Sequence, residues 1–302
     1  MRFLNFILFL IIFAFINACK QKANENENRN ETSVAPNREL SNDFKEYWFS
    51  GEAEITTYKL DQFRYNEQRE GTVSLIYVTE DFNTEAQVKA DKKTNNSEPI
   101  LKLNAIKKFT TGIYPYSIME STFYPLNEEE HALKVTASSQ EWCGQMYLQL
   151  NNNKNFKLIA HSYFEDLADI ALNLKKIWLE NEIWTQVRIA PNKLPTGDIE
   201  ILPSFEYLLL NHKTIHPYTA LAEFYQKEEL SVYKISYPEL DRTLKIYYHN
   251  EFPYNIEKWE ETVIINGKEY VTSAIKMKTI KSDYWNKNSN KDLSLRDTLN
   301  LD

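Results

Sequence analysis

TVSLIYVT, residues 72–79, places Val73, Leu75 and Tyr77 on one face and Thr72 and Ser74 on the other. That period of two is the pleat of a half-buried β-strand. The same alternation recurs in ILKLNAIKKF (100–109), HALKVTAS (131–138), QMYLQL (145–150), FKLIAHSY (156–163), TLKIYYH (243–249) and YVTSAIKMKT (270–279). Between these runs stand turn formers: Asn83, Asn95 and Asn96, Asn127, Asn151 to Asn153, Asn250, and the pair Asn266-Gly267. Asn-Gly favours a type I′ hairpin, whose two central residues both need positive φ. The chain therefore reads as mainly β and antiparallel.

One segment breaks the period. In KIWLENEIWTQVRIA (176–190), Ile177, Trp178, Ile183, Trp184 and Val187 recur near helical spacing, and Pro191 stands where a helix would stop. Trp178 and Trp184 are read as core anchors that pack this helix on a sheet.

The β pattern hints at a duplication. Ser50–Ile55 resembles Thr196–Ile201, Ile100–Leu103 resembles Thr243–Ile246, Pro115–Ile118 resembles Pro253–Ile256, and Val135–Ser138 resembles Val271–Ala274, in the same order. The expected architecture is two tandem related antiparallel curved sheets or half-barrels, or one large curved sheet, with one helix between the repeats. The repeats are assigned to residues 45–165 and 196–285, the helical linker to 166–195, and a polar, unstructured tail to 286–302.

The N-terminus carries an address. Met1 and Arg2 precede an apolar run from Phe3 to Ile16, then Asn17, Ala18 and Cys19. The run is shorter than the roughly 20 residues of a membrane span. A basic start, a short apolar core and a small residue before cysteine form the pattern of a lipoprotein signal peptide, residues 1–18. Cys19 would become the acylated (palmitate-bearing) N-terminus, anchoring the chain to the outer membrane of the cell envelope. Residues 20–44 are poor in large apolar side chains and read as a flexible tether. Which face of that membrane the domain occupies stays open.

Composition narrows the function. With 35 Lys and Arg against 43 Asp and Glu, the net charge is −8, and phosphate neutralisation by a basic stripe is not available. No nucleic-acid partner is expected. The six glycines (Gly51, Gly71, Gly112, Gly144, Gly197 and Gly267) stand far apart. Loops that cradle nucleotide phosphates need them clustered, so no nucleotide and no cofactor is expected.

Candidate chemistry is sparse. Cys143 is read as a small buried residue in a strand beside Gly144, the usual fate of a free cysteine; as a nucleophile it would need His131 or His161. His212 and His216 have helical metal-ligand spacing, yet they bracket a turn, so no metal site is assigned. Glu165, Asp166 and Asp169, and Glu128 to Glu130, are carboxylate clusters of the kind glycoside hydrolysis uses in pairs, or charged turns. Tyr114 and Tyr116, in Tyr-Pro-Tyr, and Tyr254, in Phe-Pro-Tyr, join Trp142 and Trp259 as candidate ligand-contact aromatics. No catalytic residue is assigned. Thr298, in Asp-Thr-Leu, matches an O-glycosylation acceptor pattern of exported proteins in Bacteroidota.

EYWFSGEAEITTYKL (46–60), GIYPYSIMESTFYP (112–125) and QEWCGQMYLQLNN (140–152) resemble a family of Bacteroidota outer-membrane lipoproteins. Some members carry the label septum formation inhibitor Maf. Maf nucleotide pyrophosphatases are α/β proteins with an N-terminal Ser-rich, Arg-Arg-containing phosphate loop, which this chain lacks, so no catalytic residue carries over. The resemblance implies an envelope lipoprotein. The expected role is a non-catalytic binding or carrier module for a lipid-like, glycan or protein ligand. The alternatives are a hydrolase of envelope polysaccharide using paired carboxylates, and a structural subunit of an envelope assembly.

Overall fold

The computed structural model describes residues 38–127 and 131–301. Cys19, residues 20–37 and the Glu128–Glu130 cluster lie outside the described residues. The first element is a short helix, α1 (Asn42–Trp48), capped where Ser41 Oγ accepts from Phe44 N.

Sixteen strands form one sheet. The N-terminal half contributes β1 (Ala53–Arg64), β2 (Glu67–Asn83), the two-residue β3 (Val88–Lys89), β4 (Ser97–Thr111), β5 (Tyr114–Pro125), β6 (Lys134–Glu141), β7 (Gly144–Asn152), β8 (Phe156–Ser162) and β9 (Ile170–Leu174). The C-terminal half contributes β10 (Trp178–Leu179), β11 (Gly197–Leu202), β12 (Tyr218–Lys227), β13 (Leu230–Tyr237), β14 (Arg242–His249), β15 (Ile256–Ile265) and β16 (Lys268–Ser282). Each half is an antiparallel meander, apart from the parallel pair β10–β11. The halves join where β16 pairs with β1, from Ala53↔Ser282 to Asp61↔Ser273. Of the two expected arrangements, the single large curved sheet is the one observed, and it does not close into a barrel.

Its two free edges nevertheless lie close. β9 ends at Leu174 and β10 begins at Trp178, so the link 175–177 holds those strand ends within about 14 Å of each other. The sheet thus wraps a lumen. Inward residues follow the period of two: Val73, Leu75 and Tyr77 on β2, Leu101 and Leu103 on β4, Leu148 and Leu150 on β7, and Leu244, Ile246 and Tyr248 on β14 are all buried in one core.

Two helices fill that lumen. α2 (Glu180–Ile189) is shorter at its start than the sequence suggests, because Trp178 and Leu179 extend as β10. Glu180 and Glu182 sit in its first turn and Arg188 in its last, each favourable to the helix dipole. Pro191 follows the Ala190 cap. α3 (Phe205–Leu210) is capped by Ser204 Oγ, which accepts from Tyr207 N at 3.2 Å.

Three of the four motif pairs fall on or beside successive strands in the same order, β4, β5 and β6 against β14, β15 and β16, whereas one long strand, β2, separates β1 from β4 and both β12 and β13 separate β11 from β14. Two further expectations change. The segment read as an unstructured tail forms helical turns and α4 (Ser294–Thr298), and Leu299 covers Ala53, Ile55 and Val78 on the outer face. Cys143 is exposed at the β6–β7 turn rather than buried.

Candidate functional site

Eight of the ten residues of α2 are buried, and they include Glu180, Asn181, Glu182 and Arg188. A polar helix inside a lumen is tolerated only if its groups find partners. Arg188 forms a two-pronged pair with Glu54 on β1, Nη1–Oε1 2.6 Å and Nη2–Oε2 2.8 Å. It also donates to the Pro253 carbonyl and to Asn255 Oδ1. Burial raises the Glu54 pKa, but the Arg188 guanidinium outweighs it and holds the carboxyl below its usual range. Glu180 pairs with Arg242 on β14, and Arg242 also reaches Glu261 on β15. Glu182 accepts from Ala132 N at 2.7 Å and Leu179 N at 3.2 Å, and meets His131 Nδ1. Tyr77 donates to the Trp184 carbonyl and Gln186 to the Tyr124 hydroxyl. The helix is thereby pinned to both halves of the sheet.

Between α2, α3 and the sheet lies a cavity of about 60 Å³. Val73, Leu75, Leu103, Ala105, Leu244, Trp184 and Trp259 supply its apolar wall. Its polar wall holds four carboxyl groups, Glu120, Glu180, Glu206 and Glu261, against two cationic groups, Lys107 and Arg242. Asn181 organises this wall: its Nδ2 donates to Glu120 Oε1 at 2.8 Å, and its Oδ1 accepts from Phe205 N at 3.1 Å. Glu206 N donates to the same Glu120 oxygen at 2.8 Å. The Glu206 side chain pairs with Lys107. Lys107 also reaches Gln62 Oε1 at 3.2 Å.

Glu120 stands apart in this set. Glu180, Glu206 and Glu261 each have a cationic partner, whereas no described cation pairs with Glu120, and its Oε2 meets no described donor. The Glu120 residue is half-buried and lines the cavity. Burial first, and the neighbouring Glu206 carboxylate second, push its pKa up to about 7.

The aromatics singled out by sequence separate. Trp259 lines the cavity, with its ring 5.2 Å from Trp184 and 4.8 Å from Tyr58. Tyr114, half-buried, stands between the buried Tyr116, 5.9 Å away, and the exposed Trp142, 6.3 Å away, near the β4–β5 and β6–β7 turns. Tyr254 lies elsewhere, against Phe252 in the β14–β15 loop. Trp178 packs on His131 from the sheet edge, while Trp184, read as a core anchor, faces the cavity. Asp166 pairs with His212 and Asp169 with His161, both at the surface. His216 stacks on Tyr218. Thr298 is exposed on α4. Cys143 N donates to Glu141 Oε2 at 2.7 Å, and that carboxylate raises the thiol pKa.

No protein-family model, no curated protein and no solved structure matches this chain.

Sequence reasoning missed Lys107, Glu120, Arg242 and Glu261. The signal was present in the strand phase. Glu120 continues the inward series Tyr116, Ile118, and is followed in phase by Thr122 and Tyr124; Lys107 stands between Ala105 and Phe109. A charge on the apolar phase of a strand marks either a buried pair or a site.

Proposed function

We propose that the protein is a non-catalytic binding module of the cell envelope, anchored through lipid on Cys19, and that its ligand occupies the lumen cavity. The observation that carries this reading is a cavity with an apolar wall, a polar wall and one buried carboxyl lacking a cationic partner. Convergent polar groups over an apolar floor are the usual make-up of a ligand site. A volume of about 60 Å³ suits a ligand of a few heavy atoms. Pockets for drug-sized molecules run to roughly 300–1,000 Å³. The reading therefore favours a small molecule over an acyl chain or a glycan chain. The exposed Trp142, with the half-buried Tyr114 beside it, remains the place where a larger envelope partner would touch.

One observation favours an enzymatic second reading. The Glu120 carboxyl, pushed up to about 7 by burial and by the neighbouring Glu206 carboxylate, is the kind of acid that general acid–base chemistry uses. The small cavity speaks against a polysaccharide substrate.

Native mass spectrometry of the full chain, purified without denaturation, tests the binding reading. A retained small molecule that is lost in Ala105→Leu, which fills the cavity, is the expected result. An empty chain whose only response to Ala105→Leu is higher thermal stability would count against it.

A further inference from the structure

The charge arrangement of the lumen cavity specifies a ligand class, on the reading that this cavity is the binding site. Lys107 is engaged by Glu206 and Gln62, and Arg242 by Glu180 and Glu261. Neither cation is left to receive an anionic ligand. The carboxyl groups outnumber the cations, and the unmatched one is Glu120. Its Oε1 is filled by Asn181 Nδ2 and Glu206 N, and both donors hold the carboxyl plane so that Oε2 is free of protein partners among the described residues. A ligand that brings a positive charge would give Glu120 the cationic partner that Glu206 has in Lys107 and that Glu180 and Glu261 share in Arg242. Across the cavity stand the rings of Trp184 and Trp259, edge to face at 86°. Indole faces attract ammonium groups and cover aliphatic carbon equally well.

We propose that the cavity binds a small primary alkylamine in its ammonium form, with the nitrogen on Glu120 and the hydrocarbon against Trp184 and Trp259. The ammonium donates one hydrogen bond to Glu120 Oε2. Its remaining donors face Thr122 and the Glu206 and Glu180 carboxylates of the same wall. No covalent bond changes. The only chemical event is proton release, because a Glu120 carboxyl that is protonated before binding must ionise to receive the cation. The charged groups facing Glu120 are Glu206 from α3, Lys107 from β4, Glu180 from α2, Arg242 from β14 and Glu261 from β15. Glu120 gives up its proton at about 7. Affinity for the amine therefore rises with pH through that value and falls only as the alkylamine itself loses its proton near pH ~10.

Isothermal titration calorimetry of the full chain with ethylamine, ethanol and acetate, three probes of similar size, tests this. Ethylamine binding at least tenfold tighter than the other two at pH 8 is expected, with proton release at pH 6 read from buffers of different ionisation enthalpy. Glu120→Gln keeps the acceptor for Asn181 and Glu206 N, so it preserves the wall while removing the charge; it should lose tenfold or more in amine affinity. Equal or tighter binding of the alcohol or the carboxylate would overturn the amine assignment and leave the cavity as a binding site. Binding of none of the three, with water alone in the cavity, would overturn both.

Discussion

Arg188, on the helix inside the lumen, grips both carboxylate oxygens of Glu54 on the first strand, and both side chains are out of solvent at 2 % and 0 % exposure. The pair joins the middle of the chain to the strand at which the two halves of the sheet meet. Its strength in place comes from company: Tyr47 donates to Glu54, and Pro253 and Asn255 accept from Arg188. Buried pairs are costly to assemble and more costly to break singly, since the survivor is a charge without water or partner. Arg188→Met should destabilise the fold by about 3–5 kcal/mol. Glu54→Leu combined with Arg188→Met should recover most of that loss. Urea denaturation of the three chains checks the order.

Glu120 makes stability depend on pH in a direction opposite to most carboxyl groups. Its folded pKa of about 7 lies above the 4.5 of the free side chain. Between those values the folded state holds a proton that the unfolded chain has released. Rising pH through that window therefore costs stability, on the order of 3 kcal/mol in full. Glu120→Gln should be the more stable chain at pH 8 and lose its advantage near pH 4.5. Thermal unfolding of both chains across that range gives the difference curve.

Gly71 is demanded by a close approach rather than by a turn. A β-carbon there would sit 2.3 Å from the Lys108 carbonyl oxygen and 2.8 Å from the Phe109 side chain. Gly71→Ala must spread β2 from β4 or displace Phe109. The expected cost is about 1–3 kcal/mol, the range for overpacking a filled interior. A urea midpoint equal to the parent's would contradict the geometry.

Cys143 is accessible yet dull. The Glu141 carboxylate raises its pKa above the ordinary thiol value of 9.0. Maleimide labelling at pH 7 should be slower than for a free cysteine and should accelerate in Glu141→Gln, because only the thiolate attacks. Cys143→Ser should leave the unfolding midpoint unchanged.

The strands were legible because each obeys one local rule. TVSLIYVT, ILKLNAIKKF and TLKIYYH all lie inside observed strands, and Asn266 and Gly267 adopt the positive φ values, 54° and 76°, that their turn requires. How the strands combine was not local. The β16–β1 seam pairs residues more than two hundred positions apart, and nothing in either strand names its partner. The helix was legible from Ile183 and Val187, but its placement inside the lumen was hidden by its polarity. Glu180, Glu182 and Arg188 read as a solvated face until Arg242, His131 and Glu54 are brought to them. The cavity was hidden for the same reason: Lys107 and Glu120 come from the paired strands β4 and β5, but Glu261 comes from β15, and only curvature brings it to them. Trp259 alone of the five candidate aromatics lines it.

The most direct test is a high-resolution crystal structure of the full chain grown at pH 8 with ethylamine. The account predicts a single compact ligand between α2, α3 and the sheet, its nitrogen within hydrogen-bond distance of Glu120 Oε2 and its carbons on Trp184 and Trp259. Water alone in that cavity, or the amine bound only at the outer surface, would contradict it.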